Sequence, residues 1–210
     1  MTNACPPQVG GLGAAELLTL DDYERAAAQR LSQLAYDYYR SGAGAERTLQ
    51  RNRAAFSDWA IWPRVLVDVA ERDLRTTVLG TAVDMPILVA PTAYHRLAHP
   101  DGEPATARGA ADVGTLFVAS TLATTTLEEI AAASPGPKWF QLYVHKDRGA
   151  TRELVARAQA AGYGALVVTV DTPILGRRLA DLRNGFTLPP GLTMANFDEA
   201  SGPSIPGESD

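Results

Sequence analysis

Cysteine is nearly absent from this sequence of 210 residues, which contains only Cys5. One thiol cannot build a disulfide framework, so the sequence predicts a reducing, cytoplasmic setting. No apolar run approaches the roughly 18 residues that a membrane-spanning helix requires, and we expect no membrane partner. The N-terminus also lacks a basic region followed by an apolar one, which argues against a secretory signal peptide.

Positive charge is also in short supply, because the formal net charge is −5 and the isoelectric point is near 5.2. The cations are scattered along the chain, and all but Lys138 and Lys146 are arginines. No basic run is present that could follow a nucleic-acid backbone, so we expect no nucleic-acid partner.

Several catalytic signatures are missing as well. No glycine-rich phosphate loop follows a strand, and there is neither a G-x-S-x-G nucleophile elbow nor a cysteine pair for a metal. His95 and His99 have a spacing that a helix could use for metal ligation, but Pro100 and Gly102 argue against a continuous helix there. We therefore expect no metal site, and we expect His145 to lie on the surface beside its charged neighbours.

Residues 18–84 predict a helical layer that precedes the main fold, after a loose leader rich in proline and glycine over 1–17. Thr19 is a predicted helix N-cap, since Asp21 and Asp22 would occupy the first turn, where the helix dipole favours anions. The rest of the layer is predicted as a helix with apolar residues spaced from Leu20 to Leu34, a short helix at 36–39 ended by Ser41 and the glycines after it, a helix over 46–59, and irregular strand-like chain over 61–83.

From residue 85 the pattern changes to short apolar runs that alternate with helical segments. The runs are 86–90, 116–119, 139–144 and 165–170, and the helical segments are about 103–113, 126–133 and 149–161. Near-continuous apolar strands alternating with helices indicate a parallel sheet covered on both faces. Residues 85–171 therefore predict an α/β fold, and a doubly wound sheet and a (β/α)8 barrel both fit this pattern.

Residues 172–210 have few apolar residues and many prolines and glycines, and they predict a long loop in which the chain ends. Long structureless loops are uncommon inside compact domains. Four βα units are also only half of a barrel, which typically takes about 250 residues. The pattern favours a barrel interrupted in a loop, and an open sheet of four or five strands with a disordered tail is the alternative.

Candidate ligand-binding residues stand at the ends of all four predicted strands, where ligands bind in parallel α/β folds. They are Pro91-Thr92-Ala93, Ser120-Thr121, Gln141 with Tyr143, and Thr169 with Asp171. Gln141 and Tyr143 point to the same face because they are two residues apart in a strand. Each residue alone could simply cap the following helix, but the set suits a flat, polar-edged cofactor that needs both donors and acceptors.

Six motifs in register resemble the family of FMN-dependent 2-hydroxy-acid oxidases and dehydrogenases. They are Tyr36-Asp37-Tyr38-Tyr39-x-Ser41-Gly42, Pro91-Thr92-Ala93, His99-Pro100-x-Gly102-Glu103, Gln141-Leu142-Tyr143, Thr169-Val170-Asp171-Thr172-Pro173 and Gly176-Arg177-Arg178, within a resemblance that runs from about residue 18 to 197. The resemblance implies a (β/α)8 TIM barrel, of which this chain supplies the N-terminal helical layer and about four βα units. It also implies FMN as the cofactor and a homotetramer.

The resemblance further implies a cofactor face on the strand ends. Pro91, Thr92 and Ala93 would lie against the flavin, with the Ala93 amide near flavin N5. Three side chains would bond the edge of the isoalloxazine ring, namely Ser120, Gln141 and Thr169.

Substrate contacts are implied as well. Tyr38 and Arg178 match residues at the substrate carboxylate, which a guanidinium can bind bidentately. Tyr143 matches a tyrosine near the substrate hydroxyl, and Asp171 matches the carboxylate that orients the catalytic histidine. Leu122 stands where glycolate oxidases of the family have a tryptophan, which favours a larger, mandelate-like aryl substrate unless the change is neutral repacking.

The implied reaction is oxidation of a 2-hydroxy acid to the 2-oxo acid, with the hydroxyl proton taken by a base and hydride passed to flavin N5. Oxygen (O2) is the expected electron acceptor, and a quinone or cytochrome is the alternative. The catalytic histidine, a second arginine, a lysine near N1 and the phosphate loops belong to later strands of the family, and nothing in these 210 residues matches them. A non-catalytic half-barrel acting as a binding module is the remaining alternative.

Overall fold

The computed structural model of the chain describes residues 17–171 and 174–197. They divide into two compact units. The N-terminal unit contains the chain up to Asn52 together with Arg178–Phe186, and the sheet unit contains Arg53–Arg177 together with the chain from Thr187. This division differs from the predicted one, because residues 53–84 belong to the sheet unit, where Val78 and Val83 pack beside Leu116, Val118 and Trp139. The predicted leader, except for residue 17, and the pair Thr172-Pro173 lie outside the described residues.

The N-terminal unit begins with two short helices, α1 (Leu20–Arg30) and α2 (Gln33–Arg40). The predicted cap at Thr19 is confirmed, since its hydroxyl accepts the N–H of Asp22 and the Asp22 carboxylate accepts the N–H of Thr19 at 2.7 Å. The apolar spacing alone predicts a longer first helix. Instead α1 ends before Leu31, because Ser32 takes up an extended backbone and caps α2.

Next along the chain come a third helix and a hairpin. The helix α3 (Arg47–Ala54) continues into a 3-10 turn (Ala55–Asp58), which matches the helix predicted over 46–59. The strand-like stretch contains one antiparallel pair, β1 (Thr76–Val78) and β2 (Thr81–Val83). Leu79 and Gly80 join these strands with φ values of 46° and 77°, as tight hairpin turns require.

A parallel sheet of three short strands forms the centre of the sheet unit, in the order β3 (Phe117–Ala119), β4 (Lys138–Leu142), β5 (Leu166–Val168). Three of the four predicted apolar runs therefore form strands. The first run, 86–90, makes only a bridge, in which Val89 pairs parallel with Phe117 and its N–H donates to the carbonyl of Leu116 at 2.9 Å. That run lies along β3 as predicted, but its pairing is too short to count as a strand.

A helix follows the bridge and each of the next two strands. The helices are α4 (Gly102–Asp112), α5 (Leu127–Ala133) and α6 (Arg148–Ala160). Each lies within one residue of its predicted bounds. The alternation of parallel strands and helices confirms the predicted α/β class.

The core of the sheet unit packs these helices against one face of the sheet. Phe117 and Phe140 are almost fully buried there, with Leu127 and Ile130 of α5 and Leu154 of α6. A fully buried side chain of this size stabilises the fold by about 1.5–3 kcal/mol relative to leaving it exposed. A second cluster, on the alternate residues of the strands, is Val83, Leu116, Val118 and Trp139.

One prediction for the C-terminal segment is wrong. The sequence predicts a loop over 172–210, but residues Leu179–Asn184 form helix α7 in the N-terminal unit. Six residues are too few to show a clear apolar period, and so short a helix depends on tertiary contacts. The Asn184 amide donates to the Asp37 carboxylate at 2.8 Å, and Gly185 ends the helix with a φ of 57°. Among the described residues no helix is long and apolar enough to cross a membrane.

Candidate active site

Gln141 lies at the centre of a hydrogen-bond network at the carboxyl ends of the three strands. Its Oε1 accepts the N–H of Thr121 at 3.1 Å and lies 3.4 Å from the hydroxyl of Ser120. Its Nε2 donates to Oγ1 of Thr169 at 2.8 Å. The Thr121 hydroxyl donates to the Gln141 carbonyl at 2.6 Å and accepts the N–H of Tyr143 at 3.1 Å. Predicted site residues on three different strands are thus brought together.

The network leaves two donors unused. The Gln141 amide has two hydrogens, of which one goes to Thr169, and the Thr169 hydroxyl accepts that bond and keeps its own hydrogen. Neither remaining hydrogen has an acceptor in the described part of the chain. Ser120 differs, because its buried hydroxyl accepts the N–H of Leu122 at 3.1 Å and bonds to Gln141. The Ser120 hydroxyl is therefore used within the network, whereas Gln141 and Thr169 can each donate one further hydrogen bond to a ligand.

Pro91, Thr92 and Ala93, which we call the shelf, follow the bridge at Val89. Pro91 and Thr92 are exposed, and Tyr94, the first residue after the shelf, is buried. Tyr94 has a φ of 59°, a conformation that costs energy for any residue other than glycine. Its N–H donates to the carbonyl of Leu122 at 3.1 Å. This bond ties the chain beyond the shelf to the loop after β3, and the Leu122 side chain is itself buried.

Tyr143 and Asp171 come after β4 and β5 in the same unit. Tyr143 is half-buried, and Asp171 is exposed. Burial raises the pKa of the Tyr143 hydroxyl above its ordinary value, and the negative charge of Asp171 raises it further. Tyr143 therefore keeps its proton at neutral pH and is available as a hydrogen-bond donor.

Tyr38 and Arg178 meet in the N-terminal unit. The Tyr38 ring stacks on Phe186 with a centroid distance of 4.6 Å, and the Arg178 guanidinium carbon lies 4.7 Å from the Tyr38 ring centroid. This is the range of a cation–π contact. The guanidinium Nη2 also donates to the backbone carbonyl of Tyr38. The two residues predicted at the substrate carboxylate are therefore in direct contact.

The remaining nitrogens of Arg178 differ in their surroundings. Nε lies 2.8 Å from a carboxylate oxygen of Asp181, which makes an ion pair without hydrogen-bond geometry. Burial raises the pKa of Asp181 more than the charge of Arg178 lowers it. Nη1 has no partner among the described residues. Arg178 could therefore bind a carboxylate with two hydrogen bonds only through the two hydrogens of Nη1, or after one of its existing contacts is displaced.

The prediction for His145 is wrong. Its charged neighbours Lys146 and Asp147 suggested the surface, but His145 is 4% exposed and its ring packs edge-on against Phe197 at a centroid distance of 5.0 Å. Its N–H donates to the Thr151 hydroxyl at 3.0 Å, which holds the chain in a tight turn under the start of α6. Burial lowers the pKa of His145, so it is neutral at physiological pH.

Histidines do not gather into a metal site in the described residues, where no group of three or more His, Cys, Asp or Glu side chains could hold an ion. His95 begins a 3-10 turn (His95–Leu97) that ends before Pro100, as the proline and glycine after it predicted. Its Nδ1 lies 2.9 Å from the Thr106 hydroxyl, and burial lowers its pKa.

Sequence reasoning gave no role to Glu103, although it lies in one of the six motifs. Its carboxylate is fully buried and accepts hydrogen bonds from the chain beyond the shelf and from the loop after β3. A signal was present in the sequence, since the run Thr124-Thr125-Thr126 follows the predicted strand at 116–119 after four intervening residues and supplies hydroxyl donors.

Comparison with known families gives one match that covers most of the chain. The family described as FMN-dependent dehydrogenase matches residues 27–205. Among curated proteins, an L-lactate oxidase from Nostoc sp. strain PCC 7120 is 55% identical over 199 residues, which is 91% of this chain and 54% of the relative. Glycolate oxidase 1 from Zea mays is 54% identical over 183 residues, covering 87% of this chain and 50% of the relative. The chain thus spans about half the length of these relatives.

Solved structures agree with this match. A mandelate oxidase structure superposes with a TM-score of 0.83 at 44% identity, over 86% of this chain and 52% of the other. A variant of an active chimera of (S)-mandelate dehydrogenase superposes with a TM-score of 0.84 at 39% identity, over 88% of this chain and 52% of the other.

Proposed function

The chain belongs to the family of FMN-dependent dehydrogenases, and from this premise we propose that it forms the cofactor face of an enzyme that oxidises a 2-hydroxy acid to the 2-oxo acid. The observation that carries the proposal is the bonded chain Ser120–Gln141–Thr169, which joins three neighbouring strand ends and presents two unused donors, one on Gln141 and one on Thr169. Strand ends of this kind are where parallel α/β enzymes bind their cofactors.

The fold that goes with this proposal is a (β/α)8 barrel to which this chain contributes about four βα units. The bridge and three strands run parallel in chain order, each of the first three is followed by a helix, and β5 is paired on one side only in the described residues. An unpaired edge of this kind accepts a further strand. The half-length match to the relatives supports the same arrangement.

FMN fits the donor set at the strand ends. The edge of its isoalloxazine ring carries carbonyl oxygens and ring nitrogens that accept hydrogen bonds, and Gln141 and Thr169 each have one hydrogen to give. The exposed Pro91 of the shelf would offer an apolar surface, and the half-buried Ala93 would offer its backbone N–H. When bound, FMN supplies the hydride acceptor that the reaction needs.

The substrate carboxylate would meet Arg178 through Nη1. Asp181 and Tyr38 hold the rest of the guanidinium, so the free nitrogen is already oriented and loses little freedom on binding. Tyr38 adds its ring below the guanidinium, and its hydroxyl is a second candidate donor to the carboxylate.

Tyr143 would donate a hydrogen bond to the oxygen at the reacting carbon, because a phenol keeps its proton at neutral pH and burial raises the pKa of this one further. Asp171 would act on a base rather than on the substrate: its carboxylate would orient a histidine and stabilise the cation that forms when the histidine takes the hydroxyl proton.

A mandelate-like aryl acid is the substrate class that we favour, and oxygen is the acceptor that we favour. Leucine at position 122 is smaller than tryptophan and leaves more space over the strand ends. The two solved structures compared above are named as mandelate enzymes, while the two curated relatives are named as oxidases of lactate and glycolate. The similarity to a mandelate dehydrogenase keeps a quinone or cytochrome as the alternative acceptor.

Spectroscopy of the complete gene product tests the proposal. The purified protein should be yellow, release FMN on denaturation, and bleach anaerobically on addition of (S)-mandelate, with lactate and glycolate tested alongside. Readmitted oxygen should restore the colour within the turnover time if the enzyme is an oxidase. A colourless protein that takes up no added FMN would rule the proposal out.

A further inference from the structure

Glu103 is a fully buried carboxylate that the reaction described above does not use. It lies in the first turn of α4, and no arginine or lysine of the described residues forms an ion pair with it. A buried carboxylate without a cation is costly unless several donors hold it. We therefore expect the Glu103 carboxylate to have a structural role other than packing.

Four donors surround this carboxylate. Oε1 accepts the N–H groups of His95 at 3.1 Å and Thr124 at 2.7 Å. The hydroxyls of Thr124 and Thr125 reach Oε2 at 2.9 and 2.8 Å. The N-terminal end of α4 adds its own favourable dipole. The negative charge is thus held by neutral groups alone.

Those donors come from two separate loops. His95 belongs to the chain that leaves the shelf, and Thr124 and Thr125 belong to the loop after β3 that begins with Ser120. Two further hydrogen bonds join the same loops, from the Tyr94 N–H to the Leu122 carbonyl and from the Arg96 N–H to the Thr124 hydroxyl, both at 3.1 Å.

Gly102 explains how the carboxylate reaches both loops. Its φ is 52°, and a Cβ at this position would lie 2.7 Å from Cγ of Arg96. Glycine therefore lets the start of α4 approach the chain beyond the shelf closely. Glu103 follows immediately and is placed between the two loops.

We propose that Glu103 is a positioning residue for the flavin, which fixes the shelf relative to the strand-end network. The proposal rests on the function proposed above. Tyr94 holds a strained backbone directly after Ala93, and such a conformation persists only when its surroundings enforce it. Glu103 contributes to this constraint, because it bonds the residue after Tyr94 and the loop whose Leu122 carbonyl accepts the Tyr94 N–H.

The consequence is a specific one for the cofactor. If the link is weakened, the shelf relaxes and the Ala93 amide moves away from the flavin edge. The flavin then loses a donor near N5 while Gln141 and Thr169 still reach the ring. Flavin affinity and N5 reactivity should therefore change more than the stability of the fold.

The test compares Glu103→Gln with Glu129→Gln in the complete gene product. Glu129 is the control, because its exposed carboxylate also accepts a threonine hydroxyl and a backbone N–H, at 2.8 and 3.1 Å, and both of these donors belong to the cap of α5. FMN dissociation constants, the dissociation constant for sulfite (which adds at N5) and the melting temperature of the flavin-free protein are measured for both variants. Thr125→Val, which removes one hydroxyl donor, serves if Glu103→Gln does not fold.

We expect Glu103→Gln to weaken both FMN and sulfite binding by about tenfold, with a smaller effect in the same direction for Thr125→Val and none for Glu129→Gln. Wild-type values for FMN and sulfite in Glu103→Gln, whatever its melting temperature, would overturn the inference and leave the proposed function intact. Failure of the wild-type protein to bind FMN would instead overturn the proposed function, and this inference with it.

Discussion

Strands β3 and β5 consist entirely of apolar residues but differ in how far they are buried. Phe117, Val118 and Ala119 of β3 are all buried, whereas Leu166 and Val168 of β5 are 41% and 49% exposed. Both strands are parallel members of one sheet, and both follow from the same apolar pattern in the sequence. An apolar sequence pattern indicates that a strand should be buried. Whether it is buried depends on the helices and strands that pack against it.

The chain between the 3-10 turn and the hairpin also exposes apolar side chains, as β5 does. Five of its large apolar side chains are more than 80% exposed, namely Trp59, Ile61, Trp62, Val65 and Leu66. Extended apolar surface of this kind marks a place where further protein packs. In the proposed barrel, further βα units would pair with β5, and we expect cover for this stretch to come from the same source.

Replacing a core side chain on the covered side should have the largest effect. Phe140→Ala in β4 removes a fully buried ring and should lower the free energy of unfolding by about 3–5 kcal/mol. Val170→Ala, beyond β5 and 83% exposed, is the matched control and should change it by less than about 0.5 kcal/mol. Urea denaturation of the 210-residue chain measures both. A large cost for Val170→Ala would break the contrast between the two regions.

Gln141 should show the next largest effect, because its contacts cross from the covered strands to β5. Gln141→Leu leaves the Thr121 N–H without its acceptor, which should cost about 1–3 kcal/mol of stability. FMN affinity should fall as well, since a ligand donor is lost. Gln159→Leu on the exposed face of α6 is the control and should change neither. Equal FMN affinity in both variants would remove Gln141 from the cofactor face.

Arg178 extends the comparison to a side chain that has one nitrogen, Nη1, without a partner among the described residues. Arg178→Lys loses the planar fork, and we expect the KM for 2-hydroxy acids to rise at least about tenfold with a smaller change in kcat. Arg183→Lys, exposed on the same short helix, is the control. Steady-state kinetics with one substrate distinguishes them, and an unchanged KM for Arg178→Lys would exclude the carboxylate role.

The smallest effect should come from the ion pair that joins α5 and α6 at the rim of the covered side. Hydrogen bonds from Arg157 hold the pKa of Glu128 below its ordinary value. Because the folded-state pKa is lowered, this stabilisation is present above the unfolded-state pKa and is lost as pH falls through the folded-state value. Glu128→Gln should cost at most about 1 kcal/mol at neutral pH and nothing once Glu128 is protonated in acid.

A thermal melt series over pH checks that last expectation, with Glu153→Gln as the exposed control on α6. A penalty for Glu128→Gln that persists in acid would show that the side chain acts through packing rather than charge.

Local patterns predicted the elements whose signals are local. The cap at Thr19 and helices α4, α5 and α6 follow from a few neighbouring residues, and the structure has them within a residue of the predicted bounds. Gln141, Thr169 and Ser120 could be grouped because parallel strands end at one edge of a sheet. That inference needs strand positions and no knowledge of distant contacts.

What the sequence could not reveal depends on distant contacts. Helix α7 is held by Asn184 against Asp37, which is far away along the chain. His145 is buried by Phe197, and its charged neighbours gave the opposite signal. The role of Glu103 depends on donors from two loops that meet only in the folded chain. Compartment and oligomeric state stay predictions from the sequence.

The most direct test of the central proposal is an experimental structure of the complete gene product with FMN. We expect the isoalloxazine edge to lie within hydrogen-bonding distance of Gln141 Nε2 and Thr169 Oγ1, with the shelf against the ring near N5. A flavin bound elsewhere, with these two donors still without acceptors, would contradict the account.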